Sequence, residues 1–473
     1  MIKGCVAMLN DKVRINKITL RDLKSVAYGV ISLNTTDALR QEKASIMGLY
    51  GQNASGKTVV IEALAIIKHI LSGEQIPPRY LEIISKGKNE CTIEVEFLVV
   101  DEDMAIDCMV IYKCALARRN DPNESDKNPK EIIAVIRESV RARGVVYGVK
   151  HPLQDIARTD EACALVLPVE KCNILFGTDQ NTLKFLEQQK ILALYGSRSF
   201  IFSTQAFKVV RETWDLRGDA SALAYWPMTL LISLNLFILM RFVVIDEFTA
   251  HNFDFHIIMN FDKIRMPLKM PTLLNNSINA QKEQIDYIEE LLPSLNNVLS
   301  SIVPGLALEY KLDKISLDEG DDNYRIEFFS CREGLGTFPF KNESLGIKKI
   351  VSFIILIMEA YNNPSFTLAV DEMDASIFEY LLGEVLDIMG SSGKGQLLFT
   401  SHNLHPLEKL DPHFVWFTTT DPSNRYTQMS KKATNNLRNM YLRAVHLGHG
   451  DKELYNGDSK NALAYAFRKM GRR

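Results

Sequence analysis

The sequence predicts an α/β fold in which a mixed sheet is interrupted by a mostly helical insertion. Three observations carry this expectation. An apolar run, SIMGLY at 45–50, leads through a glycine-rich turn into TVVIEALAIIKHIL at 58–71, which is apolar nearly all round and so reads as a helix buried against a sheet. A second apolar strand, FTLAV at 366–370, ends in two acids and is followed by a helical stretch and a further strand, QLLFT at 396–400. Between these strand groups, from about 150 to 300, the clearest pieces are helical: LKFLEQQKILALYG, AFKVVRETWDL and AQKEQIDYIEELL.

Size and composition fit such a fold. The chain has 473 residues, 46% of them apolar, enough for one large α/β domain with an insertion or for two ordinary domains. Its 55 basic and 58 acidic residues leave a net charge of −3, which lacks the overall electrostatic footprint of a constitutive nucleic-acid binder. The seven cysteines (Cys5, Cys91, Cys108, Cys114, Cys163, Cys172 and Cys331) form no C-x-x-C pair, which argues against a zinc site or a disulfide framework and favours a reduced, cytoplasmic compartment. The N-terminal stretch has neither the apolar core nor the small-residue cleavage site of a secretory signal. Only MTLLISLNLFILMRFVVI at 228–245 approaches a membrane span. Asn235 and Arg241 interrupt it and Asp246 and Glu247 follow, so it reads as a buried helix running into a strand of a soluble protein.

In chain order, KITLRDL (17–23) and VISL (30–33) predict an opening pair of strands. CTIEVEFLVV (91–100) and AIDCMVIYKCAL (105–116) alternate with period two around the acidic turn DED and predict an antiparallel hairpin. The polar stretch Arg118 to Lys130 reads as a loop where an insertion begins. LALEYKL (306–312) and NYRIEFFS (323–330) predict strands that return the chain to its first domain. The organisation expected is an N-terminal part at 1–117, a helical insertion at 118–305 and a C-terminal part at 306–473, with no sustained heptads for a coiled-coil arm. The stretch after His402 is too short for an additional catalytic domain of usual size.

The strongest chemical signal is GQNASGKT, from Gly51 to Thr58, which satisfies G-x-x-x-x-G-K-[ST] between a strand and a helix. Its glycines, with Asn53 and Ser55, let backbone N–H groups and a helix N-terminus face a β-phosphate; Lys57 brings positive charge and the Thr58 hydroxyl can ligate Mg²⁺. The acids ending the FTLAV strand, Asp371 and Glu372, suit a Mg²⁺ ligand and a general base for an attacking water. FVVIDEF at 242–248 has the same local form at Asp246 and Glu247, and is read as a strand-end acid pair because it lies before the serine-glycine segment described next. NESLGIKKIVSFIILIMEAY (342–361) opens an apolar helix. Taken alone Ser344 is an ordinary N-cap, but ahead of the acid-tipped strand Ser344, Gly346 and Lys348 can cradle the γ-phosphate of a nucleotide held by another copy. Asp374 follows the acid pair, and His402 closes the QLLFTSHN strand where an imidazole can contact phosphate and position water. Gln205, in FIFSTQAF, reads equally as a Mg²⁺-sensing residue or as a polar loop residue.

Together the GxNxSGKT loop, SLGIKK, VDEMDAS and FTSHN resemble the ABC-type ATPases of the RecF, SMC and OLD group. The run TTTDPSNRYTQM, with LRNMYLRAVHLGHG and ALAYAFRKMGRR, is similar to the compact AAA family ATP-binding subunits of bacterial antiphage defence operons, the ATPase component of the PARIS system foremost, with OLD-like and Septu ATPases as cousins. The resemblance implies an ABC-type P-loop head that binds ATP and Mg²⁺. It implies Lys57 and Thr58 on phosphate and Mg²⁺, Asp371 on Mg²⁺, Glu372 as base, Asp374 in cross-subunit coupling, Ser344 on the partner's γ-phosphate and His402 as switch. It further implies a homo-oligomer paired with a separately encoded effector, a TOPRIM-like or HNH-like nuclease, and answering to a phage protein or DNA trigger. An SMC-like or RecF-like DNA clamp is the alternative. One departure stands out: the signature reads Ser-Leu-Gly where transporters and SMC proteins have Ser-Gly-Gly, so a side chain sits where backbone would approach phosphate.

Overall fold

The computed structural model describes residues 11–121, 131–217, 224–252, 256–260, 265–269, 278–315, 323–375, 379–408 and 410–428. Two sheets organise it. The first is antiparallel, in the order β2-β1-β4-β5-β6-β7, built from β1 (Lys12–Leu23), β2 (Val26–Ser32), β4 (Glu90–Asp101), β5 (Ile106–Asn120), β6 (Glu131–Val146) and β7 (Val149–Asp160). The second has the order β18-β17-β3-β16-β15-β8. It comprises β3 (Ser45–Tyr50), β8 (Phe242–Ile245), β15 (Thr367–Val370), β16 (Gln396–Thr400), β17 (Val415–Thr418) and β18 (Tyr426–Gln428). All its pairings are parallel except β17 with β18. The expected α/β class with a mixed sheet describes this architecture.

Strand β3 is buried along its whole length. Its side chains alternate between two cores, as a pleated strand covered on both faces requires. Met47 and Leu49 enter the core shared with the antiparallel sheet, with α1 (Lys57–Ser72) and with α5 (Trp226–Met240); Ile46 and Tyr50 enter the core on the opposite face. That second core is roofed by α6 (Lys282–Ile302), α7 (Leu345–Asn362) and α8 (Glu379–Ser392). Helix α1 is apolar all round because it lies between sheets; Leu64, Ile66, Ile67 and Ile70 are fully buried. Each contributes about 1.5–3 kcal/mol of burial. Helix α5 is buried likewise, and among the described residues no helix is long and apolar enough to cross a membrane.

Buried charge ties distant segments together. Arg14 on β1 is wholly buried and donates to the carbonyls of Lys43 (2.7 Å), Pro364 (2.9 Å) and Lys394 and to Ser45 Oγ (3.0 Å), joining the antiparallel sheet to the amino ends of β3, β15 and β16. Arg241 pairs with Asp11 at 2.9 Å in a site closed to solvent. Burial pushes the Asp11 carboxyl up despite that partner. Among the described residues no group of three or more His, Cys, Asp or Glu forms a metal cluster, and the described cysteines are free thiols.

The structure corrects the expected insertion. Helices α2 (Val169–Phe176), α3 (Gln180–Tyr195) and α4 (Thr204–Arg217) are present, but 118–305 also supplies β6 and β7, which widen the antiparallel sheet, and β8, which edges the parallel one. Strand β6 is a long ribbon with apolar positions inward and arginines outward, and it turns at Tyr147-Gly148 into β7. Strands β12 (Leu306–Lys314) and β13 (Asn323–Arg332) do not rejoin the antiparallel sheet; they form a separate sheet with β11 (Ile278–Gln281) and β14 (Gly336–Pro339). A two-stranded sheet of β9 (His256–Asn260) and β10 (Arg265–Lys269) completes the described strands.

Candidate functional site

The site lies where β3, β16 and β15 end, at the carboxyl edge of the parallel sheet. Open parallel sheets place ligands at this edge because the following turns leave a crevice there. The turn after β3 curls as the glycine pattern requires. Gly51 has φ 155° and a Cβ there would fall 1.8 Å from Thr418 Oγ1; Gly56, with φ 94°, forms the left-handed entry to α1. The loop is clamped from β17 and β18: Thr418 Oγ1 and Ser55 Oγ are 2.6 Å apart, and the buried Tyr426 hydroxyl donates to the Gly56 carbonyl at 2.8 Å. Asn53 stands exposed at its tip.

Lys57 begins α1 with its ammonium turned back over the loop, donating to the carbonyls of Gly51 (2.8 Å) and Gln52 (2.7 Å). Burial lowers its pKa to about 8, although Asp371, Glu372 and Asp374 pull it upward. A signed consequence follows. Between about 8 and its unfolded value near 10.5 the unfolded chain binds more protons at Lys57, so stability rises with pH in that window. Affinity for a triphosphate moves oppositely: each bound anion favours charged Lys57, so binding takes up a proton above pH 8. We expect ATP affinity to be level below pH 8 and to fall toward tenfold per pH unit above it. Calorimetry in two buffers of different ionisation heat, at pH 7 and pH 9, measures that proton.

Asp371 ends β15 almost wholly buried and accepts from the Thr400 hydroxyl at 2.5 Å and the Thr58 hydroxyl at 3.4 Å. Burial pushes its carboxyl up, while Thr400, Thr58 and Lys57 draw it down. The paired hydroxyl and carboxylate oxygens are hard donors suited to Mg²⁺, which when bound would offset phosphate charge. Glu372 sits at φ 46°, a left-handed conformation that a non-glycine residue holds at a cost of about 1–2 kcal/mol. Its N–H donates to Thr400 Oγ1 at 2.8 Å. Thr400 thus fixes both acids from the neighbouring strand. The backbone turn throws the Glu372 side chain outward, 57% exposed, with Oε1 4.0 Å from Nε2 of His402.

Asp374 Oδ2 accepts from the N–H groups of His402 (3.1 Å) and Asn403 (3.0 Å). Gln205 lies at the wrong end of α1: Phe202, just before α4, packs its carbonyl over Gly73, the far cap of that 16-residue helix, about 24 Å from the P-loop. A polar residue opening a surface helix is the reading that survives. Lys348 is buried and donates to the Lys341 carbonyl at 2.7 Å, beneath the helix entry. Ser344 caps α7 by accepting from Ile347 N–H at 3.3 Å; Leu345 and Gly346 stand exposed beside it. Asp246 is a strand-end acid as expected. It lies beside Asp371 on β8, accepts from Tyr80 (2.5 Å) and caps the next helix through Thr249 (2.8 Å).

No family model matches the chain, and no curated protein matches it. Among solved structures it is similar to an Smc head domain of Pyrococcus furiosus with an extended coiled coil, bound to the C-terminal domain of ScpA, at 13% identity over 88% of this chain and 96% of that one, with a TM-score of 0.42. It is similar also to the recombination mediator RecF with ATP (11% identity, 89% and 100% covered, TM-score 0.36) and to the SMC head of Thermotoga maritima (13%, 88% and 99%, 0.33).

Proposed function

We propose that the chain is an Mg²⁺-dependent ATPase whose nucleotide sites are completed between two copies. The supporting observation is the convergence of Lys57, Thr58, Asp371, Glu372 and His402 at one sheet edge, where Thr58 and Asp371, 313 positions apart in the chain, come within hydrogen-bond distance. Glu372 takes the proton of the attacking water, His402 orients it, and Lys57 with the loop amides holds the phosphates. The site is half built: Glu372 and His402 project outward, and general base catalysis gains when water access is closed off. Helix α7 ends beside the start of β16, its Ala360 and Tyr361 carbonyls accepting from Gly395 and Lys394, and its Ser344–Gly346 entry at the other end is exposed. In the paired state that entry covers the other copy's triphosphate.

Turnover per chain is therefore expected to rise with protein concentration, and Ser344→Ala to lower it about tenfold without weakening ATP binding by the single copy. Concentration-independent turnover, indifferent to Ser344→Ala, would sink the reading. The resemblance to defence ATPases extends it: ATP holds an oligomer that scaffolds a separately encoded effector nuclease, released by a phage protein or DNA trigger. The sequence without sustained heptads, and a longest described helix of 21 residues, support a scaffold over a DNA clamp. Affinity for duplex DNA falling steeply with salt would favour the clamp instead.

A further inference from the structure

Tyr50 is the last residue of the P-loop strand, and its side chain points away from the nucleotide crevice into the core under α8. The ring is fitted closely. It meets Phe399 edge-on at 6.1 Å and Phe417 at 6.3 Å, and Gly48 leaves its room, since a Cβ there would come within 2.9 Å of the ring. Yet its hydroxyl, in a residue with no exposed surface, has no hydrogen-bond partner among the described residues. A buried phenol without a partner costs about 1–3 kcal/mol, where phenylalanine would cost nothing.

A second orphan lies nearby. Asp374 Oδ1 is buried and likewise without a partner, while Oδ2 of the same carboxylate holds the amides of His402 and Asn403. The Asp374 charge is close enough to push the Tyr50 phenol further above the position that burial gives it. Thr400 pairs with Leu49 and the Ser401 N–H donates to the Leu49 carbonyl, so Tyr50 lies next to the turn that Asp374 holds, and the two unsatisfied groups are neighbours.

We infer that Tyr50 and Asp374 act as one positioning pair, the phenol donating to Oδ1 while Oδ2 holds the turn that carries His402. The pair links the strand that launches the P-loop to the turn whose imidazole faces Glu372. Movement of either is felt by the other through a single carboxylate, which a buried apolar contact would transmit less stiffly. Tyr50 and Asp374 touch no reacting atom in this scheme; they act through His402. The catalytic consequence rests on the ATPase reading above, whereas the clamp itself does not.

Amide hydrogen exchange on the full chain, read over residues 400–404, tests the clamp directly. In Tyr50→Phe, which removes one oxygen atom, exchange of the His402 and Asn403 amides is expected to quicken about tenfold, the scale of one buried hydrogen bond. Strands β15 and β16 should keep their protection. Asp374→Ala should quicken the same amides further, and Asp374→Asn, which keeps an acceptor for them and an amide for the phenol oxygen, should restore most of the protection. ATP turnover supplies the functional arm: kcat falls in Tyr50→Phe with KM unchanged, and Asp374→Ala combined with His402→Ala costs no more than His402→Ala alone. Unaltered exchange in Tyr50→Phe overturns the pair. Faster exchange with kcat intact overturns its positioning role. A wild-type chain without turnover would count against the ATPase reading alone, the exchange result still deciding the clamp.

Discussion

Replacing Glu372 by Gln is expected to lower ATP turnover by about 10²–10⁴-fold while leaving ATP binding intact. Glutamine keeps the shape and the N–H bond to Thr400 at 2.8 Å, and it leaves Lys57, Thr58 and Asp371 untouched. What it loses is the ability to accept a proton. ATP then persists at the site, and two copies joined through it should stay joined, visible as a larger species by light scattering only with ATP and Mg²⁺. Phosphate release and nucleotide binding measured on one preparation separate the two effects. Wild-type turnover in the variant would remove Glu372 from its assigned role.

Lys57→Ala should have the complementary outcome, with ATP affinity down roughly tenfold to a hundredfold, the worth of one or two charge-assisted hydrogen bonds. The nucleotide-free protein should not suffer equally. Burial has already pulled the ammonium down to about 8, so the fold pays to hold it charged at neutral pH, a cost that its bonds to the Gly51 and Gln52 carbonyls only partly offset. Its removal should leave the thermal midpoint of the free chain equal or slightly higher, while the stabilisation that ATP gives the wild type disappears. A free variant that melts far earlier would make Lys57 a structural residue instead.

The legible parts of this site were those written contiguously. Gly51 to Thr58 carries its loop, cap and helix within one stretch, and Asp371 with Glu372 follows its own strand; the structure gathers these, with His402, at one edge. What escaped reading depended on tertiary partners. Thr400 is adjacent to the FTSHN motif, but nothing local says that its hydroxyl will bridge Asp371 and Glu372 from the next strand. Nothing local to Asp374 says that one of its oxygens will hold two amides twenty-eight and twenty-nine positions on. Arg14 carries no local sign of burial, yet it is wholly buried because four acceptors from other segments, on Lys43, Ser45, Pro364 and Lys394, meet it there. Strands β6 and β7 were hidden because in β6 the buried acid Glu138 and the outward Arg137 and Arg143 break the apolar alternation, and β7 buries only Ile156, Ala157 and Thr159.

The order of synthesis gives the sheet topology a further meaning. The two neighbours of β3 are β16 and β17, and Thr418 reaches Ser55 across 363 positions of chain. On the ribosome, an apolar strand must therefore wait with both edges bare until nearly the whole head has emerged, a long-range closure that folds slowly and leaves a nascent segment prone to sticking. A fragment ending before 418 lacks the Thr418 contact to Ser55, so on the ATPase reading the nucleotide cradle closes only after the polypeptide has been translated past His402.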